Sequence, residues 1–151
     1  MLKSATVCAV AAASLVLGAA GPARAQALND TLVNGASITA SALLAAGGGF
    51  SVPSVFGLRA NNGECVRVEG TGSTFDAEFT VVGPDGQVYR DNDGGAGTLP
   101  LVRIASAPDT GVYTLVINSS SGAAVASGTV TFTYGRFSAG SAQCQPATPP
   151  L

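Results

Sequence analysis

Residues 75–93, FDAEFTVVGPDGQVYRDND, decide the fold. Asp76 to Val82 alternates polar and apolar residues, the period of a half-buried strand. Pro84-Asp85-Gly86 is turn chemistry. Proline presets φ, and glycine accepts the positive φ that closes a hairpin. Gln87 to Arg90 is a second short strand, and Asp91-Asn92-Asp93 follows as an acidic loop beside Gly94-Gly95.

The same pattern extends in both directions. Short runs rich in Val, Thr, Phe and Tyr are separated by Gly, Asn, Asp and Ser, and nothing beyond the first 25 residues repeats at helical spacing. This predicts an all-β, eight-stranded antiparallel β-sandwich of jelly-roll-like kind. Its strands fall at Ala36 to Ala42, Val55 to Ala60, Glu64 to Glu69, Asp76 to Val82, Gln87 to Arg90, Leu99 to Ala105, Gly111 to Asn118 and Thr129 to Arg136. Ala45 to Ser51 reads as a flexible link, and Asn61-Asn62-Gly63 as a hairpin turn. Side chains change face at each residue. Ala77, Phe79 and Val81 therefore form one inward row, Tyr113, Leu115 and Ile117 a second, and Val130, Phe132 and Tyr134 a third. Ile38, Val66 and Val68 point inward as well, and Cys65, Arg67 and Glu69 point outward.

Residues 1–25 read as an export signal. Lys3 supplies the positive start, Ala5 to Ala20 the apolar run, and Ala23-Arg24-Ala25 the cleavage motif. The expected mature chain starts at Gln26, with a sandwich over 26–136 and an irregular tail over 137–151. It carries five arginines, no lysine and nine acidic residues, a net charge of −4. That balance speaks against nucleic acid, whose binding needs clustered cations, and against anionic lipid. No membrane span is expected in the mature chain. Cys65 and Cys144 are the two cysteines left. An even pair in an exported chain reads as one disulfide, here to a tail crossing the outside of the sandwich. Closing a loop of 79 residues would stabilise the fold by about 4 kcal/mol in the chain-entropy picture. Free thiols or a zinc pair are the alternatives, and no histidine is present to complete a zinc site.

The stretch around Pro84-Asp85-Gly86, with Leu32 to Ile38, Phe56 to Ala60, Val66-Arg67-Val68, Phe75-Asp76, Asp91 to Asp93 and Gly111-Val112-Tyr113-Thr114, resembles the bacterial pre-peptidase C-terminal domain family. The resemblance implies a secreted β-sandwich module. In that family the module follows the catalytic domain of a secreted protease, and related domains bind collagen, polysaccharide or calcium. This chain reads as a free-standing copy.

Chemistry for catalysis is scarce. With no histidine, Ser-His and Cys-His mechanisms are excluded. Glu64, Glu69, Asp76 and Glu78 are the carboxylates from which a glycosidase-like pair would be drawn, and a solvated outer face is the preferred reading for them. The chain is expected not to be an enzyme. The cation-site candidates are Asp91, Asn92 and Asp93, joined by Asp76, because calcium takes six to eight oxygens from closely spaced Asp and Asn side chains and carbonyls. An Asx-rich turn is the plainer reading of the same residues. Arg59, Arg67 and Arg90 are expected to pair with outer-face acids. Val82, Val112 and Val116 fall on outer faces, and cover by the Pro-rich tail is the preferred explanation. The expected function is surface recognition of an extracellular or periplasmic protein or polysaccharide by a secreted, non-catalytic module, with calcium as the one candidate cofactor. The alternative is a structural or accessory subunit of a bacterial envelope assembly.

Overall fold

The computed structural model describes residues 26–28, 32–47, 50–120 and 127–151. The strands are β1 (Gln26–Leu28), β2 (Ala36–Gly47), β3 (Phe50–Val52), β4 (Ser54–Ala60), β5 (Cys65–Ser73), β6 (Ala77–Val82), β7 (Val88–Asp91), β8 (Leu101–Ile104), β9 (Gly111–Ser119) and β10 (Ser127–Phe137), with a 3₁₀ turn at Ala142–Cys144. They form two sheets of five, in the orders β1-β4-β9-β6-β7 and β3-β2-β10-β5-β8. The eight expected strands are β2 and β4 to β10, four in each sheet and all antiparallel. β1 and β3 add one short strand to an edge of each sheet, β1 in parallel with β4.

The eight long strands pair in a nested order. β6 pairs with β7, β5 with β8, β4 with β9 and β2 with β10. The chain is thus one long hairpin whose successive pairs are dealt alternately to the two sheets, which is the jelly-roll arrangement. Its tip is the Pro84-Asp85-Gly86 turn. There Gly86 stands at φ +85°, Gly83 N–H donates to the Gln87 carbonyl at 2.8 Å, and Gln87 N–H donates to Asp85 Oδ1 at 3.1 Å.

Two local expectations are corrected. Asn61-Asn62-Gly63 is a turn, with Glu64 N–H donating to the Asn61 carbonyl at 3.1 Å. It is not a hairpin, because β4 and β5 lie in different sheets. Nesting gives β4 to β9, so the turn carries the chain across the sandwich. Ala45 to Ser51 is not simply a link either, since β2 runs to Gly47 and pairs with β3 from Ala45↔Val52 to Gly47↔Phe50. Residues 48–49 of that stretch lie outside the described ones.

The inward rows are those the alternation predicts. Val66, Val68, Phe79, Val81, Tyr113, Leu115, Ile117, Val130, Phe132 and Tyr134 are all buried, and Ile38 packs against them. Phe132 of one sheet meets Phe56 and Phe79 of the other edge-on, with centroids at 5.0 and 5.9 Å. This three-ring contact ties the layers together, the geometry that aromatic quadrupoles favour.

Candidate functional site

Two charged residues point into the sandwich rather than out of it. Glu64, just before β5, and Arg136, near the end of β10, are both buried. Arg136 Nε donates to Glu64 Oε2 at 2.8 Å and Nη2 to Oε1 at 2.9 Å, a bidentate pair. Arg136 Nη1 also donates to the Leu32 carbonyl, and Asn61 gives its backbone N–H and its side-chain amide to the Glu64 carboxylate at 2.8 and 3.1 Å. Burial works against the charged form of Glu64, but the bonds from Arg136 and Asn61 outweigh it and hold its pKa below the ordinary value of 4.5. The bonds to Glu64 in turn raise the pKa of Arg136. Glu64 is therefore a structural anchor. Its inward direction, though not its partner, follows from parity, since Glu64 is in phase with Val66 and Val68, and Arg136 with Phe132 and Tyr134.

The other carboxylates singled out from the sequence are also engaged. Glu78 pairs with Arg90, and Glu69 with Arg67 at 2.9 Å. Asp76 accepts from the Ser120 hydroxyl. Asp91, at the end of β7, accepts backbone N–H groups from Gly94 at 2.8 Å and from Leu101 at 2.7 Å. Leu101 opens β8 in the other sheet, so this one carboxylate pins the corner where the chain changes layers. Asn92 donates to Asp93 at 3.0 Å. The structure thus gathers Asp91, Asn92 and Asp93 in one loop and ties Asp76 to the β9 side of β6. Among the described residues, no three Asp, Glu or Cys side chains converge where they could hold a metal ion.

The tail is a strap. Cys144 is bonded to Cys65, whose Cα lies 6.0 Å away, and both are fully buried although Cys65 points outward from β5. Gln143 accepts from Arg67 at 2.8 Å, and the Pro146 carbonyl accepts from Arg103 at 3.1 Å. Thr148 then exchanges hydrogen bonds with the backbone of Arg103 on β8, at 2.9 and 3.0 Å. Leu151 N–H donates to the Val88 carbonyl on β7 at 2.9 Å, and Pro150 bridges to Tyr89. The strap crosses the outer face of the β2-containing sheet at β5 and covers the free edges of β8 and β7.

The two outer faces consequently differ. On the β2-containing sheet, hydroxyls face out in rows, with Thr39 paired to Thr133 and Ser41 to Thr131 at 3.5 and 3.4 Å. A groove of about 190 Å³ opens there, lined by Ser37, Thr133, Phe137 and Gln143 around the Arg67–Glu69 pair. The Phe137 ring lies over Gly135, where an added Cβ would sit 2.6 Å from Cε2. On the β4-containing sheet, the outward row is valine-rich. Val55 stands beside Val116, Arg59 beside Val112 and Val82 beside Val88. The strap meets this sheet at the β7 edge and leaves Val112 exposed, contrary to the expected cover, because the disulfide fixes the tail to β5.

The sandwich is similar to a periplasmic lysozyme inhibitor. The solved structure of Aeromonas hydrophila PliG, a periplasmic inhibitor of g-type lysozyme, has a TM-score of 0.50 and 15% identity, over 75% of this chain and 97% of that one. Salmonella Typhimurium PliG, also a periplasmic inhibitor of g-type lysozyme, has a TM-score of 0.46 and 14% identity, over 74% and 99%. No family model matches the chain, and no curated protein matches it.

Proposed function

We propose that this chain is an exported, non-catalytic module that works by binding another protein, and that a cell-wall-degrading hydrolase is the partner class. The observation that carries this reading is the state of the carboxylates. Glu64, Glu69, Asp76, Glu78 and Asp91 each bond an arginine, a hydroxyl or a backbone N–H. None is left poised as an acid or base at a cleft, and the chain has no histidine. The export motif and the Cys65–Cys144 bridge support an oxidising compartment, periplasmic or extracellular. No helix among the described residues is long and apolar enough to cross a membrane.

Protein is favoured over polysaccharide by the aromatic side chains. Sugar rings stack their C–H faces on exposed aromatic rings, and Phe75 and Phe137, the most open of the aromatic side chains whose burial is described, are each partly buried. The strap over the β7 and β8 edges disfavours assembly by strand addition there. The fold shared with an inhibitor of g-type lysozyme, together with the motifs resembling secreted pre-peptidase C-terminal domains, supports a contact function. The test is a titration of g-type lysozyme with the purified mature protein. Lytic activity should fall to a plateau at one equivalent. Full activity at tenfold excess would overturn the hydrolase reading, and turnover of a glycan by the protein itself would overturn the non-catalytic one.

A further inference from the structure

We infer that the valine-rich outer face of the β4-β9-β6-β7 sheet is the docking surface for a second protein, one whose contact patch is apolar with a carboxylate set to meet Arg59. This rests on the reading of the chain as a protein-binding module and names where the contact is made.

Three observations support it. First, Val55, Val82, Val112 and Val116 stand among the outward Arg59, Glu78, Thr80 and Thr114, where a solvated sheet face is ordinarily polar throughout. Val112 is 54% exposed at the start of β9, beside Arg59, and Val55, Val116 and Val82 are half-buried farther along the same face. The strap meets this sheet at its β7 edge, where the Leu151 N–H reaches the Val88 carbonyl, and leaves Val112 and Arg59 exposed. Second, Val112 is seated against a glycine. Gly57 carries no side chain beside Val112, and a Cβ there would lie 3.2 Å from Val112 Cγ1, so the valine leans into the space that glycine leaves. Third, the charge on the face is unbalanced in one place. Arg67, Arg90 and Arg136 form ion pairs, and Arg103 donates to the Pro146 carbonyl. Arg59 alone among the arginines has no side-chain partner among the described residues, and it stands directly beside Val112 in the β4–β9 register. An exposed valine beside an unpaired arginine, continued by half-buried valines, is the kind of apolar and arginine pairing enriched at interface centres.

The same charges argue against a second copy of this chain as the occupant. The carboxylate on this face, Glu78, is already bonded to Arg90. Face-to-face pairing would leave Arg59 of each copy desolvated without an acid, between two chains that are both net acidic.

Val112→Asp and Arg59→Glu on this face, and Thr133→Asp on the opposite face as the control, test the inference. All three sites lie at the surface, so each variant should melt close to the parent. With g-type lysozyme as probe, the first two should raise Kd about 30-fold, the size of an interface hot spot, and the control should not. Parent-like binding by Val112→Asp and Arg59→Glu would overturn the inference and leave the hydrolase reading intact. Absence of binding by the parent overturns the hydrolase reading instead, and a partner-free measurement then decides the face. The parent should be retained on a phenyl matrix and Val112→Asp released. Equal elution of the two overturns the inference. A dimer on a sizing column that Val112→Asp dissociates would assign the face to a second copy and overturn it too.

Discussion

At the residue scale, the Arg136–Glu64 pair carries the largest single penalty for a charge change. Removing one partner of a buried pair leaves the other uncompensated, at about 3–5 kcal/mol. Glu64→Gln should therefore destabilise the fold by about 3 kcal/mol at neutral pH, measured by denaturant unfolding. The pH dependence has a definite sign. The Glu64 pKa lies lower in the folded state than in the unfolded one, where it is near 4.5. Its contribution is complete above that value and disappears as pH falls through the folded pKa. The gap between parent and Glu64→Gln should narrow below pH 4.5, and a gap that widens in acid would contradict this. Sequence pattern alone revealed the inward rows of apolar residues. It left Glu64 among candidate reactive carboxylates, because its partner lies 72 residues away and no local spacing connects them.

At the element scale, the strap and the Asp91 corner do the structural work. Cys144→Ala frees the tail from β5 and should destabilise the protein by about 2–4 kcal/mol. It should also expose the β8 edge, read as faster amide exchange at Arg103. Unchanged exchange there would mean that the backbone bonds to Thr148 hold the strap without the bridge. Asp91→Ala strands two N–H groups, at about 1–3 kcal/mol. With Asp91 so engaged, calcium against chelator is expected to leave the melting temperature unchanged. A rise would assign the acidic loop to a cation, because a ligand of the native state stabilises it. The Cys65–Cys144 pairing and the outward direction of Cys65 were legible from cysteine count and strand parity. The path of the tail was not, since its Ser, Ala, Gly and Pro residues carry no periodicity, and only the bridge and single hydrogen bonds fix where it lies.

At the scale of the whole molecule, the three-ring contact holds the layers together. Phe132→Ala removes its centre and should cost about 3–5 kcal/mol, seen as a lower denaturant midpoint with an unchanged slope. Strand existence and face were legible because period-two hydrophobicity is local. A jelly-roll-like sandwich was expected, but its individual pairings were not legible, because pairing β4 with β9 rather than β5 is a choice among distant strands, and a turn such as Asn61-Asn62-Gly63 serves a hairpin and a sheet-to-sheet crossing equally well. Parity placed Val82, Val112 and Val116 on outer faces, and the same limit left open whether the tail covers them. On the proposed function this sandwich acts by contact, through one of its two outer faces. Backbone amide exchange with and without saturating g-type lysozyme shows which. Contact through the valine-bearing face should protect residues 54–60 and 111–119 and leave β2 and β10 unchanged; protection confined to β2 and β10, or none at all, would overturn it.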